Sequence, residues 1–184
     1  MRPIFTIHGG EYLFANEFEK RYPSLKLWIP AKDVGIDFLI TNESNSKALS
    51  VQVKYSRDYN ILQIDSNIRS NLKSLGWFHL NRDKLKTSKA DYWVLLNYEG
   101  KTKTTDFFFI KPKNLLKRYN NLGRNGKIID SYLWVLGKTK HAYETRGLRS
   151  NAQTMILSGR NNNRNRNFTI FLDRWNVINK YFNV

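Results

Sequence analysis

The chain has 184 residues, 41% of them apolar and none of them cysteine. That length suits one domain with its own core, and the cysteine count excludes a disulfide framework or a thiolate metal site. No apolar run approaches the roughly 18–20 residues a bilayer span needs and Met1 to Gly10 is too short and mixed for a signal peptide, so the chain is expected to be soluble, intracellular and cytoplasmic, with no membrane partner. The net charge is +16 and is unevenly spread. Residues 1–110 hold 16 Lys/Arg against 12 Asp/Glu, whereas residues 111–184 hold 15 against 3. Such a field repels itself unless it meets a polyanion, so nucleic acid is the natural partner.

Taken in order, Met1 to His8 reads as a short strand or an irregular lead-in, and Gly9-Gly10 as a backbone break. Glu11, Phe14, Ala15 and Phe18 follow helical spacing, and Pro23 ends that helix. Leu25 to Ile29 reads as a strand. Next come two apolar runs, Gly35 to Ile40 and Leu49 to Ser56, joined by the polar connector Thr41 to Lys47, the pattern of a β-hairpin with a longish loop. Ile61, Ile64, Ile68, Leu72 and Leu75 fit an amphipathic helix that ends near Gly76, and Asn81 to Lys89 a basic loop or helix end. Asp91 to Leu96 and Asp106 to Ile110 form a second expected hairpin, around a turn that contains Gly100. Lys113 to Tyr119 is expected to be a short helix and Ser131 to Leu136 a strand. Gly137 to Ser150 is polar and basic, and Ala152 to Leu157 has strand or helix character. Arg160 to Asn167 is low-complexity Arg/Asn and is expected to be a solvated loop. Phe168 to Leu172 reads as a strand, and Leu172, Trp175, Ile178 and Phe182 as a closing helix. These elements predict an α+β (α/β) fold, a central mixed β-sheet flanked by helices.

The first hairpin carries polar residues where a buried sheet should have none. Side chains alternate along a strand, so Gln52 and Lys54 share one face while Val51, Val53 and Tyr55 share the other. Asp37 stands between Ile36 and Phe38. A structural Asp–Lys pair near a strand end accounts for this. So does a chemical site: a carboxylate and an amide oxygen on adjacent strands can hold a hard cation such as Mg²⁺, and a Lys beside it can orient a water and stabilise charge on a phosphate. Asp33 is a competing first acid, but it stands in turn chemistry where Asp is common.

Asp37 followed by Gln52-Val53-Lys54 in the next strand resembles the PD-(D/E)xK, or restriction-endonuclease-like, nuclease superfamily, in its variant with Gln in place of the motif's acid. Ile36 rather than Pro precedes Asp37. The resemblance covers roughly residues 9–112 and implies a restriction-endonuclease-like core. It implies that Asp37 and Gln52 bind the metal, that the Val53 carbonyl joins them, and that Lys54 serves the attacking water. Many members carry an acid on the helix before the core sheet, which makes Glu11 a candidate supporting ligand; the bland reading of Glu11 is an acid favoured by the helix dipole. Asp91 is taken as structural.

The expected organisation is a single domain, 1–184, with a nuclease-like core at 9–112 and a basic, nucleic-acid-binding C-terminal extension at 113–184. Lys138, Arg149, Arg160, Arg164 and Arg166 are the candidate contacts. Arg suits phosphate and guanine, and Asn suits adenine edges, so the Arg/Asn loop could enter a groove; the blander alternative, which the composition favours, is a loop giving only nonspecific attraction. Tyr132, Trp134 and Tyr143 are either core residues or stacking surfaces for bases. The function expected is a Mg²⁺-dependent endonuclease, with Mn²⁺ able to substitute, acting on DNA and within the range of restriction or homing enzymes. RNA is the other nucleic acid to consider. Cutting both strands needs two sites, so a homodimer or higher oligomer is expected. The rival is a noncatalytic DNA/RNA-binding module with a nuclease-like fold.

Overall fold

The computed structural model describes residues 8–32, 34–57, 66–160 and 163–184. The lead-in up to Ile7, Asp33, and the Ile61 and Ile64 start of the expected helix lie outside the described residues. Among the described residues no helix is long and apolar enough to cross a membrane.

Helix α1 (Gly9–Arg21) comes first. Its opening residues are Gly9 and Gly10, which begin the helix rather than break the chain. The reason for Gly10 is packing: a Cβ there would lie 2.4 Å from the Cβ of Tyr55, so only glycine lets the helix lie this close to the sheet. Lys20 and Arg21 in the last turn complement the helix dipole. Strands β1 (Lys26–Trp28), β2 (Phe38–Thr41) and β3 (Ala48–Arg57) form an antiparallel meander. After a crossover, β5 (Tyr92–Glu99) pairs parallel to β3, and β6 (Thr104–Ile110) closes the sheet antiparallel to β5. The result is a five-stranded mixed sheet in the order β1-β2-β3-β5-β6.

The crossover differs from expectation. It contains α2 (Ser66–Ser70), the ten-residue strand β4 (Leu72–Asn81) and α3 (Arg82–Lys86). Leu72 and Leu75 therefore stand on a strand, not on a helix. From Gly76 to Leu80 burial alternates residue by residue, with Trp77 and His79 outward and Phe78 and Leu80 inward, the period-two pattern of a half-buried strand. Pairing with β7 (Ile128–Leu136) from Leu72↔Leu136 to Asn81↔Ile128 overrides the helical spacing. Strand β8 (Ala142–Glu144) completes this second, antiparallel sheet in the order β4-β7-β8.

The two faces of the first sheet have different covers. Val51, Val53, Val94, Leu96, Phe107 and Phe109 face α1 and the C-terminal helix α6 (Asn176–Phe182), around Trp175. The Trp175 ring makes edge contacts with Phe107 and Phe109, at 5.0 and 4.8 Å, and stacks on Phe14 at 5.7 Å, distances at which aromatic pairs add to area burial. Trp93, Leu95, Phe108 and Ile110 face the other way, toward β4, β7 and helix α4 (Pro112–Asn121). Pro112 takes the first position of α4, where its missing N–H costs nothing. Residues 113–184 thus contribute to both cores. Helix α5 (Ser150–Leu157) settles the strand-or-helix alternative for that segment. Phe168 to Leu172, expected as a strand, contains a 3₁₀ turn over Thr169–Phe171, and a lone bridge from Leu172 to Phe108 is what remains of strand pairing there.

Between the two sheets lies a polar seam. The Ser74 hydroxyl donates to Asp106 and the Lys73 ammonium pairs with the same carboxylate. The Asn97 amide donates to the Leu133 carbonyl at 3.0 Å, and the Trp77 N–H donates to the Ser56 hydroxyl at 2.8 Å. Gly76 permits this seam, because a Cβ there would fall 2.0 Å from the Asn97 Oδ1. Gly76→Ala is expected to cost about 1–3 kcal/mol through overpacking, read as a lower urea midpoint. Adding Asn97→Ala to that variant should recover part of the loss.

Candidate active site

The site is built where β2 begins. Phe38 is the first residue of β2 and pairs with Val51. Asp37 stands one residue before the strand rather than inside it. Its N–H donates to the Val51 carbonyl at 2.9 Å, so the backbone ladder extends one step past the strand. Its side chain then takes over, with Oδ2 accepting the Val53 N–H at 2.6 Å. A charge-assisted bond to a backbone amide is among the stronger hydrogen bonds. It pins the carboxylate against β3 between Gln52 and Lys54.

Gln52 and Lys54 share the face of β3 that looks toward Trp93 and the second sheet. Gln52 is only 7% exposed, and its side-chain amide makes no hydrogen bond among the described residues. Gly35, at φ +76°, leaves room beside it: a Cβ on Gly35 would meet the Gln52 Nε2 at 3.9 Å. The Lys54 ammonium has no carboxylate partner among the described residues and lies 5.6 Å from the centre of the Trp93 ring, a cation–π arrangement. Trp93 is the register partner of Gln52 on β5. Its indole N–H is held by the Ser88 hydroxyl at 2.8 Å, which fixes the ring under the lysine. Asp37 is thus bonded to the residue between Gln52 and Lys54, whose side chains share one face of β3. The structural Asp37–Lys54 ion pair does not form; the carboxylate goes to a backbone amide instead.

Glu11 is engaged elsewhere. Its Oε2 accepts the His8 N–H at 3.1 Å, closing the first turn of α1, and that turn lies over Tyr55 on the opposite face of β3 from Gln52. Among the described residues no group of three or more His, Asp or Glu is assembled in a way that could hold a metal ion. Among the described residues, the neighbouring strand offers the Gln52 amide and the Val53 carbonyl as further oxygen donors. That carbonyl points to the same side of β3 as the Val53 N–H, beyond the point where β2 starts. One carboxylate with neutral oxygens fits a hard divalent cation by donor type. Asp91, expected to be structural, accepts both the N–H and the hydroxyl of Ser50, at 2.8 and 2.7 Å. No family model, curated protein or solved structure gave a significant match to this chain.

The basic candidates divide. Lys138, Arg149, Arg160 and Arg164 are exposed, and their side chains make no ion pair among the described residues. Arg166 is different. It points inward, pairing with the fully buried Glu144 at 2.9 Å and reaching the Arg146 carbonyl at 3.1 Å. Arg124 pairs with the same carboxylate at 2.8 Å. Burial is the largest influence on both partners, pushing the Glu144 carboxyl up and the Arg166 guanidinium down, while their mutual attraction opposes it. Arg118 holds the Arg/Asn segment from beneath, donating to the Asn167 carbonyl at 2.7 Å and stacking on Phe171 at 4.7 Å. Of the expected solvated loop, Asn161 and Asn162 lie outside the described residues, and the stretch from Asn163 to Asn167 is tied down by these contacts. Trp134 and Tyr143 are buried, while Tyr132 carries the Arg146 guanidinium on its ring at 5.0 Å.

The sequence reading missed Trp93 and the Glu144 cluster. Nothing local marks either, since each depends on partners brought from distant segments. Glu144→Ala would strand two guanidinium groups that are mostly out of water, and is expected to cost about 3–5 kcal/mol. Chemical denaturation checks this, and Lys54→Ala should leave the midpoint nearly unchanged in the same series.

Proposed function

We propose that this protein is a metal-dependent nuclease that hydrolyses phosphodiester bonds in DNA. The observation that carries the reading is the Asp37 carboxylate fixed on the Val53 amide, between a buried Gln52 amide with no hydrogen-bond partner and a Lys54 ammonium with no carboxylate partner. The Gln52 amide and the Lys54 ammonium keep spare hydrogen-bonding capacity among the described residues, which a ligand can take up. The resemblance of Asp37 and Gln52-Val53-Lys54 to the PD-(D/E)xK pattern supports the same reading, as does a mixed sheet flanked by helices.

In this reading the Asp37 carboxylate, the Gln52 amide oxygen and the Val53 carbonyl hold Mg²⁺ or Mn²⁺. When bound, the ion supplies positive charge that polarises a phosphate and acidifies a water. Lys54 orients the attacking water and stabilises the charge that builds on the phosphoryl oxygens. The water oxygen bonds to phosphorus, the bond to the leaving sugar oxygen breaks, and that oxygen takes up a proton. Trp93 limits where the ammonium can go, which favours a single geometry. Exposed Lys138, Arg149, Arg160 and Arg164 supply sequence-independent attraction to the backbone. Scission of both strands would use two copies of the chain.

One observation favours the rival reading of a noncatalytic nucleic-acid-binding module: the neutral Gln52 leaves a single carboxylate beside Lys54. Plasmid nicking separates the two. The parent should nick in Mg²⁺ or Mn²⁺ and not in EDTA, and Lys54→Ala should lower the rate by about 10²–10⁴-fold with duplex affinity unchanged. Tight binding with no nicking in either metal would leave the module as the better account.

A further inference from the structure

A concave site lies near the start of β5 and the end of β6, its lining drawn from the cores on both faces of the first sheet. It is a cleft of about 280 Å³ whose lining includes Tyr92, Lys111, Asn114, Phe171, Arg174 and Lys180. Tyr92 begins β5 and packs with the core that faces α1, whereas its neighbour Trp93 faces the candidate active site. Its Tyr92 wall thus faces away from Gln52 and Lys54.

Three cations converge here from three segments. Lys111 joins β6 to α4, Arg174 precedes α6, and Lys180 stands on α6. No Asp or Glu is in the lining. None of the three side chains makes an ion pair or a hydrogen bond among the described residues, and Lys111 rests 5.9 Å from the centre of the Tyr92 ring. Other cations have carboxylate partners: Lys73 with Asp106, Arg124 and Arg166 with Glu144, and Arg21 with Glu17. Here three like charges line one cleft with no carboxylate paired to them, the Asp91 carboxylate near Tyr92 being held by Ser50, and such a collection is unfavourable unless an anion enters. The start of α4 adds to the field. It has no side-chain cap and no acid in its first turn; Pro112 carries no N–H and the Asn114 N–H donates to the Lys111 carbonyl at 2.9 Å, so the Lys113 N–H and the positive end of the dipole are what it offers an anion. The Tyr92 and Asn114 side chains have spare hydrogen-bonding capacity, as neither makes a hydrogen bond among the described residues.

We propose that this cleft binds a phosphate group, held by Lys111, Arg174 and Lys180 with the start of α4 beneath it. The group could be carried by a nucleic acid or by a small phosphorylated molecule. The site does not depend on the nuclease reading, because it involves none of Asp37, Gln52 or Lys54 and needs no metal.

The test uses the intact chain, in low salt and EDTA, with inorganic phosphate as the probe. In a ¹H–¹⁵N titration the backbone signals of Lys113, Asn114, Arg174 and Lys180 should move together and saturate. Lys111→Ala and Arg174→Ala should each weaken that binding by about tenfold; both side chains are exposed, and unchanged melting would show the fold intact. Shifts that fail to saturate, that scatter over the surface, or that persist with equal affinity in both variants would overturn the proposal. Short DNA oligonucleotides with and without a 5′-phosphate then identify the source. Displacement of phosphate by both assigns an internal backbone phosphate, by the phosphorylated one alone a strand end, and by neither a small phosphorylated ligand. Since nicking is not measured, loss of the nuclease reading would leave this result standing, and the reverse holds as well.

Discussion

The geometry of the candidate active site depends on a bond between one side chain and one backbone amide. Asp37 uses its own N–H to complete the ladder with Val51 and its carboxylate to occupy the next rung, on Val53. The strand β2 is replaced by a side chain at the position where a polar site can open. This solves two problems together. The Val53 amide, which would otherwise lack a strand partner, is satisfied, and the carboxylate is held without the mobility of a surface acid. It also ties the site to register. Slippage of β2 by one residue along β3 would send Asp37 to the face occupied by Val51 and Val53, so the hydrophobic pairing Phe38↔Val51 and Ile40↔Leu49 is what keeps the polar residues together.

The polar seam between the sheets plays a similar part on a larger scale. Ser56 follows Lys54 on the same face of β3 and accepts the Trp77 N–H. Asn97 and Asp106 are fully buried and receive bonds from β4 and β7 or donate to them. Such bonds contribute little net stability each, but an unmet partner in this layer is costly. They therefore select one placement of β4 across the first sheet, and with it the wall that faces Gln52 and Lys54. A purely apolar layer would tolerate sliding; this one does not.

What the sequence disclosed follows from how local its signals are. Both hairpins were legible because apolar runs and their polar connectors are contiguous, and α4 was legible because Pro112 and the following periodicity lie within a few residues. The face shared by Gln52 and Lys54 needed only the strand period. The failures all involve distant partners. Leu72 and Leu75 fit a helix until β7, more than fifty residues on, supplies a strand to pair with. Gly9-Gly10 looked like a break because the reason for Gly10 is Tyr55 on β3. The Arg/Asn segment looked free because Arg118 and Glu144, which anchor it, belong to other elements. Asp37 was placed inside a strand, whereas its function in the fold comes from standing just outside one.

The same distinction changes how the basic last third should be read. Of its cations, Arg118, Arg124 and Arg166 are consumed in holding the fold, by carbonyls, aromatic faces and a buried carboxylate. Their charge is not offered to a partner in the way an exposed lysine's is, since low-dielectric surroundings and fixed geometry commit each guanidinium to its present contacts. The field that reaches solvent is therefore patchier than the sequence excess suggests. It is carried by side chains such as Arg149, Arg160 and Arg164 and by the cleft of Lys111, Arg174 and Lys180. In the proposed reading, a polyanion would meet separate cationic points such as these rather than one uniform surface.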